Sequence, residues 1–155
     1  MSKKKIILIV TGIAIILLDQ LTKIVLTDKN ITLIPNFINF TYTENTGVAF
    51  GIASNNIIMV IIVNVIILGF IIKFLKDNSK KANYSILFSL VLILSGAIGN
   101  LTDRLFRGFV IDFIDINVFS FPNFNIADIS IVLGIFILII VITKSIIKEN
   151  KEEKE

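Results

Sequence analysis

Four long apolar runs limit what this 155-residue chain can fold into. They cover residues 6–26, 57–75, 82–101 and 129–147, and each is about 20 residues long. A helix of that length rises about 30 Å, which matches the hydrocarbon core of a bilayer, whereas helices of soluble proteins average about 11–12 residues. The runs therefore predict an all-α integral membrane protein with four transmembrane helices.

The composition agrees with a membrane protein and restricts its chemistry. Hydrophobic residues make up 55% of the chain and charged residues 17%, against about 45–50% and about 25% in soluble domains. Cysteine and histidine are absent from the sequence, which excludes a disulfide framework, a cysteine nucleophile, a histidine base and a His/Cys zinc site. At this length we expect a single membrane-embedded domain, residues 1–155.

Lysine placement predicts how the helices are oriented. Lysines gather before the first run, between the second and third, and after the fourth: Lys3, Lys4, Lys5, Lys73, Lys76, Lys80, Lys81, Lys144, Lys148, Lys151 and Lys154. The positive-inside rule places both termini in the cytoplasm. Because these lysines flank helices and form no separate basic stripe, no nucleic-acid partner is expected. The start resembles a secretory signal peptide, but no small-residue cleavage site follows, so we expect the first run to be retained.

Two longer segments, about residues 27–56 and 102–128, then face outward. Residues 38–43 alternate between apolar and polar side chains, which is typical of a half-buried strand. Residues 109–121 are rich in β-branched and aromatic residues and could supply partner strands. We therefore expect a small extracytoplasmic β-sheet on the outer membrane surface.

Two aspartates stand out in this outward part. Asp112 lies inside an apolar stretch, and Asp128 lies where the fourth run begins. Capping of a helix N-terminus would explain Asp128 alone but not Asp112. Two carboxylates brought together share a proton, and such a pair can activate a water and polarise a carbonyl, as in aspartic proteases. The sequence spacing leaves both interpretations of Asp128 open.

Charged residues also occur near the outer end of the first run. Asp19 and Lys23 are spaced i, i+4, with the acid first, which is the favourable order for a helical ion pair. One interpretation is a self-neutralising pair at the membrane interface, with Lys23 reaching towards water. In the other, Asp19 points into the bundle and positions other polar groups, as costly intramembrane charges usually do.

The third run ends in small and polar residues. Gly96 and Gly99 favour close contact between membrane helices. Asn100, Asp103 and Arg104 follow at helical spacing and can share a face. They form either a polar helix end or a group that holds a neighbouring acid in place.

Four motifs, in order, connect these residues. They are Asp19-Gln20-Leu21-Thr22-Lys23; Asn45-Thr46-Gly47-Val48-Ala49-Phe50-Gly51; Gly96-Ala97-Ile98-Gly99-Asn100-Leu101-Thr102-Asp103-Arg104 continuing to Val110-Ile111-Asp112-Phe113; and Phe124-Asn125-Ile126-Ala127-Asp128. By these motifs, which span the first run to the fourth, the chain resembles the lipoprotein signal peptidases of bacterial membranes, also called signal peptidase II. Val48 departs from the alanine more usual in that family.

The resemblance implies a four-span aspartic endopeptidase of the bacterial cytoplasmic membrane, with its active site near the outer face. It implies removal of signal peptides from diacylglyceryl-modified prolipoproteins, with cleavage before the lipidated cysteine and without a metal or other cofactor. Asp112 and Asp128 fall on the catalytic positions. Residues expected to bind substrate or support the site are Asp19, Lys23, Asn45, Gly47, Asn100, Asp103, Arg104 and Asn125. Membrane lipid and globomycin-type lipopeptide inhibitors are further expected partners.

Three other functions could use some of the same residues. A small non-enzymatic transporter or channel subunit would use the acids as an ion path, but the acids gather at one side instead of running through the centres of the spans. A serine/lysine peptidase would pair Lys23 with Ser54, Ser95 or Ser130, and no spacing singles out one of them. A structural assembly factor would leave Asp112 in its apolar stretch unexplained.

Overall fold

The computed structural model describes residues 3–47, 56–79, 81–117 and 121–152. In chain order its elements are α1 (Lys3–Leu26), β1 (Asn30–Ile34), β2 (Ile38–Asn45), α2 (Ile57–Asn78), α3 (Tyr84–Phe106), β3 (Val110–Ile116) and α4 (Ile126–Glu152). The expected architecture of four long apolar helices with a small β-sheet is confirmed. Several residues used in the sequence interpretation lie outside the described residues: positions 48–51 of the loop motif, residues 118–120 of the second outward segment, Ser54, Lys80 and Lys154.

The four helices are each long and apolar enough to cross a membrane. In the apolar window of α3, 44% of residues are buried, against 6% in α2. Helix α3 is therefore central, and it contacts α1, α2 and α4. On α2 the side chains of Phe70 and Ile58 are 71% and 68% exposed. Apolar surface on this scale needs lipid around it, and helices suit lipid because they satisfy their own backbone hydrogen bonds.

At the ends nearest the sheet, two helices extend beyond the apolar runs that predict them. Helix α3 continues to Phe106, past the run that ends at residue 101, and α4 begins at Ile126, before the run that starts at residue 129. The extra turn of α3 carries Asp103 and Arg104, whose charges have partners inside the protein. A hydropathy run ends where charge appears, but the helix continues because those charges are paired.

The sheet is antiparallel with strand order β1-β2-β3. Strand β2 covers the predicted residues 38–43 and continues to Asn45, β3 falls within the predicted residues 109–121, and β1 is an addition. Residues 38–42 of β2 are all half-buried, so burial does not alternate along the strand as expected. The reason is that side chains on the second face also bond to β3, where Thr41 Oγ1 donates to Asp115 at 3.3 Å. In the register of β2 and β3, Thr43 is opposite Asp112 and Asn45 is opposite Val110.

Glycines allow α3 to lie very close to its neighbours. A Cβ at Gly96 would overlap the backbone oxygen of Ala127 on α4, and a Cβ at Gly99 would lie 2.6 Å from Asp19 Oδ2 on α1. These contacts bring α1, α3 and α4 together at the ends nearest the sheet. The expectation that Gly96 and Gly99 serve close helix contact agrees with this geometry.

Gly96→Ala is expected to destabilise the bundle by about 1–3 kcal/mol, because the added methyl group must push α4 away from α3. Gly69→Ala is the matched control, since a Cβ at Gly69 on α2 meets no atom within 4 Å. That control should unfold at the same temperature as the parent protein or slightly higher, given the better helix propensity of alanine. Thermal unfolding in detergent measures both, and equal midpoints for the two variants would contradict the close packing of α3 and α4.

Candidate active site

Strand β3 carries Asp112 into a buried position. The side chain is 2% exposed, between the buried residues Ile111 and Phe113. Asn45, at the end of β2, donates from Nδ2 to Asp112 Oδ2 at 2.9 Å, and Asn125 donates from Nδ2 to Oδ1 at 2.6 Å. Both carboxyl oxygens are thus held by amide donors.

The beginning of α4 positions Asp128. Asn125 is the residue before the helix, and its Oδ1 accepts from the backbone N–H of Asp128 at 2.9 Å. Asp128 Oδ2 accepts in return from the backbone N–H of Asn125 at 3.2 Å, which completes a reciprocal capping arrangement. Its other oxygen, Oδ1, accepts from Asn100 Nδ2 at 2.7 Å. Asp128 therefore caps the helix and also joins a polar cluster.

Two asparagines connect the aspartates. Asn125 contacts Asp112 through its side chain and Asp128 through both its side chain and its backbone. Asn100 bonds to Asp128, and its Oδ1 accepts from Asn125 Nδ2 at 3.2 Å. The structure thus brings Asp112 and Asp128, which come from different elements, into one hydrogen-bonded cluster where α3 ends and α4 begins.

A buried ion network lies behind this cluster. Lys23 Nζ is 2.9 Å from Asp19 Oδ2, 2.8 Å from Asp103 Oδ2 and 3.0 Å from Asn100 Oδ1. Lys23, Asp19 and Asp103 are all 0% exposed. Lys23 therefore does not reach towards water. Asp19 Oδ1 also accepts from the backbone N–H of Ala127 at 3.0 Å, so this acid points into the bundle and holds the start of α4.

Asp103 and Arg104 fix the surrounding backbone. The backbone N–H of Ile111 donates to Asp103 Oδ2 at 3.3 Å, which attaches β3 to α3. Arg104 donates from Nη2 to the carbonyl of Gly47 at 2.7 Å and from Nη1 to the carbonyl of Asn100 at 3.3 Å. All ten candidate residues thus belong to one connected region.

Two polar residues in this region were not singled out from the sequence. Gln20 donates from Nε2 to Asp19, to the carbonyl of Gly99 and to Asp103 at 3.1–3.2 Å. Arg107 pairs with Asp103 and donates to Gln20 Oε1. Gln20 stands within the first motif, and Arg107 lies one helical turn after Asp103, so a search for polar residues at i+1 and i+4 of the acids would have found both.

Asp112 is hard to ionise. Burial raises the pKa of its carboxyl to about 6, and the negative charge of Asp128 acts in the same direction. The hydrogen bonds from Asn45 and Asn125 and the charge of Lys23 lower the pKa and only partly offset the burial. A carboxyl of this kind can hold a proton at mildly acidic pH, which is a requirement for acid catalysis.

This shift makes folding stability depend on pH. When the pH is below 3.8, the ordinary pKa of this carboxyl, Asp112 is protonated in both the folded and the unfolded chain. As the pH rises towards 6, Asp112 ionises only in the unfolded chain, so the folded state loses stability. The change in the pKa of Asp112 from 3.8 to about 6 corresponds to a loss of about 3 kcal/mol in the free energy of unfolding. We expect the unfolding temperature of the parent protein, relative to Asp112→Asn, to fall between about pH 4 and pH 6. If the unfolding temperatures of the two proteins in detergent change in parallel with pH, the raised pKa of Asp112 is contradicted.

Other chemistries find less support in this region. Among the described residues, no group of three or more Asp or Glu side chains could hold a metal ion. Ser95 and Ser130 donate to the backbone carbonyls of Val91 and Leu92, and the hydrogen bonds of Lys23 go to carboxylates and an amide. The serine/lysine arrangement is therefore not formed by either of these two serines.

A cavity of about 320 Å³ lies at the opposite end of the bundle, where α3 begins and α4 ends. Asn83, Lys144 and Lys148 are among its lining residues, and none of the lining residues carries a carboxylate. It offers no acid pair for hydrolysis, so the cluster around Asp112 and Asp128 stays the candidate active site.

Comparisons of sequence identify relatives over most of the chain. The family described as Signal peptidase (SPase) II matches residues 11–144. The lipoprotein signal peptidase of Staphylococcus haemolyticus (strain JCSC1435) is 39% identical over 145 residues, covering 88% of this chain and 90% of the relative. That of Staphylococcus aureus (strain JH9) is 36% identical over 157 residues, covering 95% and 93%.

Solved structures agree with the sequence comparisons. A bacterial membrane enzyme determined by the in meso method at 2.3 Å resolution superposes with a TM-score of 0.84 and 35% identity, covering 96% of this chain and 93% of that one. A second, at 1.9 Å resolution, gives a TM-score of 0.77 and 34% identity over 87% and 91% of the two chains. The chain is therefore similar to bacterial membrane enzymes in both sequence and fold.

Proposed function

This chain belongs to the signal peptidase II family, and from that premise we propose that it is an aspartic endopeptidase with Asp112 and Asp128 as its catalytic pair. Its substrates are prolipoproteins whose cysteine carries a diacylglyceryl group, and cleavage occurs immediately before that cysteine. The family membership and the four apolar helices make the chain a multi-pass membrane protease of bacteria. The observation that carries the aspartic mechanism is the asparagine bridge between the two buried acids.

In the proposed reaction, a water between the carboxyl groups attacks the scissile carbonyl carbon. One aspartate accepts a proton from the water, and the other, protonated, donates to the carbonyl oxygen. The tetrahedral intermediate then breaks its C–N bond, and the leaving nitrogen takes the proton held by the first aspartate to become the amino group of the lipidated cysteine. A hydroxyl of the intermediate returns its proton to the other aspartate as the new carboxyl group forms. Removing a proton from water and polarising the carbonyl are the two tasks that a carboxylate and a carboxylic acid perform together.

The surrounding residues support this pair without taking part in bond breaking. Asn45 and Asn125 hold Asp112, and Asn100 holds Asp128. Asp19, Lys23 and Asp103 anchor the start of α4 and the edge of β3, and Arg104 fixes the carbonyl of Gly47. Rigid positioning of this type keeps reacting groups in a productive geometry.

We further propose that the sheet and the acid cluster face the outside of the cell. The lysine-rich ends of α1 and α4 and the link between α2 and α3 lie at the bundle end opposite the sheet. By the positive-inside rule that end is cytoplasmic, and both termini lie there. A substrate held by its signal helix and lipid tails has its scissile bond near the outer membrane surface, which is the depth of the acids. Inhibition by globomycin-type lipopeptides stays a prediction.

The proposed function is tested with purified protein in detergent or nanodiscs and a matched pair of prolipoprotein peptides, one carrying the diacylglyceryl group and one with an unmodified cysteine. Mass spectrometry is expected to show one new N-terminus, at the lipidated cysteine, and little cleavage of the unmodified peptide. Turnover should be unchanged by a strong chelator, because two carboxyl groups supply the chemistry. Cleavage at another bond, equal cleavage of both peptides or loss of activity in chelator would contradict the proposal.

A further inference from the structure

Resting on the proposed catalytic pair, we propose that Lys23 and Asn100 determine which aspartate carries the shared proton. They hold Asp128 as the carboxylate that accepts a proton from water. Asp112 is left as the carboxylic acid that donates to the scissile carbonyl oxygen.

Lys23 fixes the orientation of the Asn100 amide. Its Oδ1 accepts from Lys23 Nζ at 3.0 Å and from Asn125 Nδ2 at 3.2 Å. An ammonium group has only donors, so the amide oxygen of Asn100 must face Lys23. The NH₂ group is thereby forced towards Asp128, where Nδ2 lies 2.7 Å from Oδ1. A donor that cannot turn into an acceptor favours the charged form of the carboxyl group it meets.

The second oxygen of Asp128 is in a similar position. Oδ2 accepts from the backbone N–H of Asn125 at 3.2 Å, and a backbone N–H can only donate. Asp128 also lies in the first turn of α4, where the partial positive charge of the helix N-terminus favours an anion. Both oxygens and the helix end therefore favour the carboxylate form.

The surroundings of Asp112 stabilise a negative charge less than those of Asp128. It lies on a strand, which has little net dipole, and it is almost completely buried between apolar residues, whereas Asp128 is partly exposed. Like Asp128 it accepts from two neutral amides, but the Asn125 amide is shared with Asn100 Oδ1 and the carbonyl of Ile111. Burial raises the pKa of Asp112 to about 6, in agreement with a proton residing there.

The remaining charged groups near the pair come from α1 and α3 and are paired with one another. Helix α1 contributes Asp19 and Lys23, which pair with each other, and α3 contributes Asp103 and Arg104. Asp103 is matched by Lys23 and by Arg107. The Arg104 guanidinium donates to the carbonyls of Asn100 and Gly47. Among the described residues, the preference for an anion at Asp128 therefore comes from its hydrogen-bond donors and the N-terminus of α4, and not from the surrounding charged side chains.

The test compares two same-size substitutions that remove one donor each. Asn100→Leu removes the donor to Asp128 and leaves Lys23 paired with Asp19 and Asp103; Asn45→Leu removes a donor to Asp112. The readout is the pH profile of kcat/KM on the diacylglyceryl peptide, whose acid limb reports the carboxylate and whose alkaline limb reports the acid. Asn100→Ala replaces Asn100→Leu should the leucine variant not fold.

We expect Asn100→Leu to move the acid limb up by about one pH unit, an about tenfold loss of kcat/KM at a fixed pH on that limb, with the alkaline limb unmoved. Asn45→Leu should move the alkaline limb up and leave the acid limb in place. A purely structural role would lower the whole profile without moving either limb, and that result, or the reverse assignment of the limbs, would overturn the proposal. Full activity of Asp112→Asn or Asp128→Asn would instead reject the catalytic pair itself.

Discussion

Asp112→Asn and Asp128→Asn are each expected to lower the rate of prolipoprotein cleavage by about 10⁴-fold or more. The remaining carboxyl group cannot at the same time accept a proton from water and donate one to the scissile carbonyl oxygen, and the asparagine amide cannot replace the missing carboxyl group. Single-turnover cleavage of a diacylglyceryl peptide by purified protein measures the chemical step. The substitution is nearly isosteric, so elution from size exclusion and the unfolding temperature show whether the bundle stays folded.

Asp115→Asn is the matched control for this result. Asp115 lies on the same strand, β3, and receives hydrogen bonds from Asn39 and Thr41 instead of from the residues around the pair. Being three positions from Asp112, it projects from the other face of the strand. Its variant should cleave at nearly the parental rate. Turnover retained by either variant of the pair, or lost equally in Asp115→Asn, would reject the assignment.

Lys23→Met is expected to have the largest effect on stability, lowering the free energy of unfolding by about 3–5 kcal/mol. The substitution leaves Asp19 and Asp103 buried at 0% exposure without their shared cation. Breaking a buried ion pair on one side costs far more than the pair itself contributes, because the remaining charge has lost both water and partner. Thermal unfolding in detergent, or resistance to proteolysis, measures the loss.

Two further variants separate this cause from the loss of a long side chain. Lys148 forms an ion pair with Glu152 at 3.5 Å, and their side chains are 77% and 65% exposed; Lys148→Met should cost less than about 1 kcal/mol. Adding Asp19→Asn to Lys23→Met removes one stranded charge and should recover part of the lost stability, since Asp103 still pairs with Arg107. No recovery in the double variant would contradict a charge-based explanation.

The helices were the most predictable part of the fold. A lipid environment demands about 20 apolar residues for each span, so the runs at residues 57–75 and 129–147 lie inside α2 and α4. The helix ends were less predictable, because Asp103 and Arg104 extend α3 only through partners from α1 and the Gly47 loop. Such pairing between distant parts of the chain has no local signal.

The sheet was predictable only where a strand is partly buried. Strand β2 carries an apolar alternation, but the five residues of β1 are all exposed, so no burial pattern marks it. Hydrogen bonds to β2 define β1, and the partner strand is not visible in the local sequence.

The candidate site was predictable in its members more than in its connections. The motifs indicated Asp112, Asp128 and the asparagines, and they left open whether Asp128 caps a helix or meets another acid. The structure shows that one carboxyl oxygen caps α4 and the other meets Asn100. The use of both oxygens follows from the close contact of α3 with α4, which sequence spacing does not encode.

A crystal structure with a peptide analogue that carries a tetrahedral hydroxyl group in place of the scissile carbonyl tests the central claim most directly. We expect this hydroxyl to lie within hydrogen-bond distance of both Asp112 and Asp128, with the cysteine lipid directed towards the bilayer. An analogue that binds with its hydroxyl against other residues, or that contacts only one of the two carboxyl groups, would contradict it.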